Sequence, residues 1–82
     1  MHIPHELPEE FREEMRFIER LAKTDYKFSQ LTAQYDEVNK HIYRIESEDE
    51  PTTDEVLEDL KKQRLKLKAE IASALRKLER RM

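Results

Sequence analysis

Glycine, cysteine and tryptophan are all absent from the 82 residues of this chain. Without cysteine there is neither a disulfide framework nor a thiolate metal site. Without glycine, the loops in which a backbone closely approaches phosphate are excluded. No apolar run approaches the roughly 18 residues of a spanning helix. The acidic N-terminal stretch is also unlike a signal peptide. These absences lead to the expectation of a cytoplasmic protein with no membrane segment.

What is abundant is charge. Charged residues make up 43% of the chain and hydrophobic ones 37%, a composition that suits long solvated helices rich in Glu, Lys, Arg and Leu. The net charge of −3 conceals an asymmetry. Residues 1–59 carry seven cations and seventeen anions, a balance of −10, whereas residues 60–82 carry nine cations and two anions, a balance of +7. The split favours contact between the two halves, with Arg76, Lys77, Arg80 and Arg81 expected near the acidic start.

Residues 1–8, MHIPHELP, have two prolines and no periodicity, and are expected to form an irregular lead-in. Pro8 suits a first helical turn, and Glu9, Glu10, Glu13 and Glu14 suit the positive end of a helix dipole. Phe11, Met15, Ile18 and Ala22 then recur at helical spacing, which predicts a first helix over 9–23. Thr24 and Asp25 interrupt the pattern as potential N-caps, so either a kink or a new helix fits there. The series Phe28, Leu31, Tyr35, Val38, Ile42 and Ile45 has alternating spacings of three and four, a heptad seam that predicts a helix over 25–47.

Pro51 disfavours helical geometry at Glu50 and makes Ser47–Thr53 a turn. Thr52 and Glu55 read as a capping box, followed by a third helix over 53–80. Its seam is Val56 or Leu57, then Leu60, Arg64, Leu67, Ile71, Ala74 and Leu78, with Arg64 interrupting the apolar series. Leu65, Ala72 and Leu75 broaden the apolar face. The expected fold is therefore all-α: an antiparallel helical hairpin with a short N-terminal helix and coiled-coil-like packing, 9–82 forming one domain. A two-helix hairpin buries little apolar area for the residues it orders. A second copy of the chain is the expected remedy, and a homodimer the favoured assembly.

The line Leu60-Lys61-Lys62-Gln63-Arg64-Leu65-Lys66-Leu67-Lys68-Ala69-Glu70-Ile71 is similar to the basic third-helix signature of the YdcH-like family, small bacterial helical proteins of unknown function. Glu10-Phe11-Arg12-Glu13 resembles that family's opening turn, and Phe28, Leu31, Val38 and Ile42 fit its second-helix spacing. The chain departs from the family at Tyr35-Asp36 and Val38-Asn39, where a His-Asn pair followed by Leu-Asp is usual. The stretch between Phe11 and Phe28 is also about one turn longer. The resemblance implies a helical hairpin, often self-associated, and carries over no catalytic residue.

Candidate chemistry is sparse. Lys61, Lys62, Arg64, Lys66 and Lys68 form a cation row suited to phosphates of nucleic acid or lipid headgroups. The plainer reading is a solvated face, since no aromatics are interleaved with them for base stacking. His2 and His5 lack the further ligands of a metal clip. His41 has Glu37 four residues back as a partner for a surface ion pair. Of Tyr26, Tyr35 and Tyr43, Tyr35 sits in the seam and reads as core. No serine or threonine lies in a nucleophile elbow, and no inward Glu-x-x-His occurs. The expectation is a non-enzymatic interaction module without cofactor or metal, engaging its own copy or another helical protein. Accessory nucleic-acid binding through the cation row is the alternative, and membrane binding is not expected, because the third helix has no aromatic on its apolar face.

Overall fold

The computed structural model describes residues 3–47 and 50–81 and contains four helices in the order α1 (Leu7–Glu10), α2 (Met15–Thr24), α3 (Tyr26–Ser47) and α4 (Asp54–Arg81). No β-strand occurs among the described residues. α3 and α4 pack as an antiparallel hairpin and α2 folds back against α3. α4, at 28 residues and about 1.5 Å of rise each, accounts for the 45 Å length of the molecule.

Each boundary has a local cause. α2 ends where Asp25 adopts an extended backbone (φ −127°, ψ 110°). The Asp25 carboxylate then accepts the Phe28 N–H at 3.2 Å, so a new helix starts here and the helix axis is broken at one residue. At the far end of the hairpin the Glu50 N–H returns to the Arg44 carbonyl at 3.3 Å. The cap of α4 differs from the expected one. Thr53, not Thr52, is the cap residue, its Oγ1 accepting the Val56 N–H at 3.2 Å and its carbonyl the Leu57 N–H at 3.1 Å. The shift places Glu55 in the first turn, where its charge meets the helix dipole. Residues 48–49 of the turn, and His2, lie outside the described residues.

The N-terminal region departs from expectation more. The helix expected over 9–23 is two helices separated by a turn at 11–14, and the lead-in expected over 1–8 becomes helical at Leu7. Phe11 leaves helical geometry (φ −131°, ψ 54°), and the chain re-enters α2 through Glu14 N–H to Phe11 O at 3.2 Å. Leu7, Phe11 and Ile18 are all buried with the chain bent at Phe11. A continuous helix would stack Glu9 on Glu13 and Glu10 on Glu14, like-charge pairs that destabilise it.

The core is one cluster of Leu7, Phe11, Ile18, Phe28, Tyr35, Ile71 and Leu75, with Ile42 and Ile45 buried nearer the turn. Tyr35 and Ile71 are fully enclosed. Loss of the Thr53 cap should cost about 1 kcal/mol. Thr53→Ala is thus expected to lower the chemical-denaturation midpoint clearly, whereas Thr52→Ala stays within about 0.5 kcal/mol of the parent. The reverse order of the two would place the cap at Thr52.

Candidate functional site

The helical periodicity of α3 and α4 sorts their inward residues into two sides of the hairpin. On one side lie Tyr35 and Asn39 of α3 with Arg64 and Lys68 of α4, and the N-terminal arm (residues 3–14) covers them. On the other lie Leu31 and Val38 of α3 with Leu67, Ala74 and Leu78 of α4, lining an open groove.

The arm side is held by polar contacts to the backbone. The Tyr35 hydroxyl donates to the His5 carbonyl at 2.5 Å, and the Asn39 amide donates to the Pro4 carbonyl at 3.0 Å. Asn39 Oδ1 in turn accepts from Arg64 Nη1 at 2.9 Å, so one buried amide ties the arm, α3 and α4 together. Glu10 completes the clasp, with Oε2 3.2 Å from Lys68 Nζ and Oε1 2.7 Å from His5 Nδ1. The His5 contact, opposed by desolvation and assisted by Lys68, holds the Glu10 carboxyl below its ordinary value. His5 itself sits at φ 64°, in the left-handed region that non-glycine residues seldom occupy. Its carbonyl and ring contacts are what hold it there.

Burial, reinforced by the Glu10 carboxylate, pushes the Tyr35 hydroxyl up to about 12, against partial relief from Arg64. The neutral phenol is the form the fold prefers.

The seam residues of α3 divide by depth. Phe28, Tyr35, Ile42 and Ile45 are buried, whereas Leu31 and Val38 are only partly covered. On α4, Ile71 is buried, while Leu60, Leu67 and Leu78 are partly covered. Leu75, placed by its spacing beside the seam, is instead part of the core, and Leu65 is 69% exposed. Val56 is exposed and Leu57 partly covered, so Leu57 is the residue that continues the seam.

The cation row is not one surface. Lys61, Arg64 and Lys68, at i, i+3 and i+7, share the arm side, where Lys61 meets Glu46 at 3.3 Å and Lys68 meets Glu10. Lys62 lies among Asp54, Glu55, Glu58 and Asp59, and Lys66 among Glu37 and Glu70 on the groove. The two halves of the charge pattern therefore meet through Lys61 and Lys68. Lys77 lines the groove beside Asp25, and no ion pair joins Arg76, Lys77 or Arg80 to the acidic start among the described residues. His41 turns toward Glu50 at 3.7 Å rather than toward Glu37, because the chain reversal brings Glu50 back over this turn of α3. Tyr26 is exposed. Among the described residues no helix is long and apolar enough to cross a membrane, and no three His, Asp or Glu side chains are grouped to hold a metal ion.

Two members of the clasp, Asn39 and Glu10, do not stand out in the spacing. A trace of the first was present: Arg64 interrupts one apolar stripe, and Asn39 sits beside the facing one. Polar residues opposed across an apolar seam are a sign of a buried hydrogen-bonded pair.

A raised tyrosine pKa links stability to alkaline pH. The folded value lies above the ordinary 10.0, so the contribution is fully present below pH 10.0 and lost as pH rises toward 12. Thermal unfolding between pH 8 and 12 is expected to show a steep fall in Tm for the parent and a shallower one for Tyr35→Phe. Parallel curves would mean that Tyr35 is not the group being titrated.

No curated protein and no solved structure matches the chain. One protein-family model does, over residues 28–75, which takes in the hairpin and leaves the arm and α2 outside, together with the Glu10–Glu13 stretch. With more than half its length matched, and in keeping with the resemblance to YdcH-like proteins, the chain belongs to the family described as protein of unknown function DUF465.

Proposed function

We propose that the protein is a non-enzymatic helix-packing module that self-associates, two copies burying the open groove against each other. The observation that carries this reading is the partial exposure of Leu31, Val38, Leu67 and Leu78 on the side of the hairpin that the arm does not cover. These are seam positions by spacing, and a seam stripe gains its stabilisation only when a facing helix closes it.

A second copy fits the groove for two reasons. Asp25, Glu37 and Glu70 share the groove with Lys66 and Lys77, so the patch carries the two signs that a self-complementary surface across a two-fold axis needs. The groove lies along the hairpin of a molecule 45 Å long, so an equally long copy can lie alongside it. Nucleic-acid binding has less support, because Lys61 and Lys68 are paired with acids and Lys62 is surrounded by them.

The groove is tested at its half-exposed positions, since a charge at Ile42 or Ile71 would disrupt the core of the single chain. Sedimentation at micromolar concentration is expected to give a dimer for the parent. For Val38→Lys and Leu67→Lys it should give a monomer with helical circular dichroism unchanged. A parent that stays monomeric, or a folded variant that still dimerises, would overturn the reading.

A further inference from the structure

Between the arm and α4 lies a second cavity, of about 300 Å³, lined by His5, Glu10, Tyr35, Lys61, Arg64 and Lys68. It is separate from the groove and does not depend on self-association. Three cations line it against one carboxylate. Glu10 is already engaged by Lys68 and His5. Arg64 differs from its neighbours. It is partly buried, its hydrogen bond goes to the neutral Asn39 amide, and no ion pair joins it to a carboxylate among the described residues. A guanidinium carries five N–H donors in a planar fork, and Asn39 occupies one of them. A partly desolvated cation with unused donors favours an anion that completes its shell.

We infer that the cavity between the arm and α4 is a binding site for a phosphate-type oxyanion, held by Arg64 and Lys61 with Lys68 at its edge. Charge supports an anion: Lys61, Arg64 and Lys68 stand against Glu10 and the Glu46 carboxylate paired with Lys61, which leaves a balance of +1 carried by Arg64. Chemistry favours Arg64 as the principal ligand, since a guanidinium with one donor on Asn39 retains others to share between two oxygens, whereas each lysine acts as a point charge. Leu65, exposed at the rim of the same cavity, provides an apolar contact for a substituent, so either free phosphate or a phosphate monoester matches the site. Nucleic acid is a poorer match, because its affinity comes from many phosphates along a basic track, and here the neighbouring Lys62 and Lys66 stand on other faces among acids.

The test is an NMR titration of the full chain with inorganic phosphate and, separately, phenyl phosphate, with chloride holding ionic strength constant. Saturable shifts are expected at the amides of Tyr35, Lys61, Arg64 and Lys68. Tighter binding of phenyl phosphate, with Leu65 shifting, identifies a monoester; equal binding identifies free phosphate. Arg64→Gln, which can still donate to Asn39, is expected to weaken binding about tenfold or more. Arg64→Lys should fall between Gln and the parent, and carries the test if Arg64→Gln loses its helical signal. Lys62→Ala and Lys66→Ala should bind as the parent does. Failure of both anions to saturate, parental affinity in a folded Arg64→Gln, or equal losses in the Lys62 and Lys66 variants would each overturn the assignment.

Discussion

Everything in this fold depends on how a short, irregular arm is held across two long helices. The apolar contacts of Leu7 and Phe11 supply the attraction, but they are non-directional and do not define where the arm sits. Direction comes from Tyr35 and Asn39, which donate to successive backbone carbonyls at His5 and Pro4. Asn39 has a second role, since its oxygen receives Arg64. A half-satisfied polar group at this depth would destabilise the core, and a fully satisfied one orders it. The same amide thus sets the register of α3 against α4 and the seat of the arm.

That dual role explains the division of labour between the two sides of the hairpin. One side is closed from within the chain by polar contacts of defined geometry. The other keeps its apolar stripe only partly covered, rimmed by charges of both signs. The family match extends over the hairpin and includes Tyr35, Asn39 and Arg64, while their arm partners lie outside it. The elements that receive the arm therefore belong to the shared part of the chain.

The hairpin was legible in the sequence because its signals are local and strong. The heptad spacing from Phe28 to Ile45 and the proline at 51 sufficed to place two long antiparallel helices. The break at Phe11 was not legible from spacing, because Phe11, Met15 and Ile18 are helically spaced whether or not the helix is continuous. Only the stacked glutamates at 9, 10, 13 and 14 hinted at it, a weak repulsion that matters once packing pulls the same way. Thr52 and Thr53 are equivalent by composition, and one residue of turn geometry decides between them. The depth order within α4, with Leu75 in the core and Leu65 exposed, depends on where α2 and the arm lie, which periodicity within one helix does not encode.

The hydrogen bonds from Tyr35 and Asn39 end on carbonyl oxygens, groups that every residue type possesses. They therefore measure the spacing of the main chain and are indifferent to the identity of the side chains at positions 4 and 5. Substitution in this stretch is filtered by the left-handed backbone of His5 and by the contact of its ring with Glu10. Inserting or deleting a single residue between Pro4 and Leu7, by contrast, would slide both acceptors out of reach together. The opening of the chain thus behaves as a ruler, permissive in lettering and strict in length.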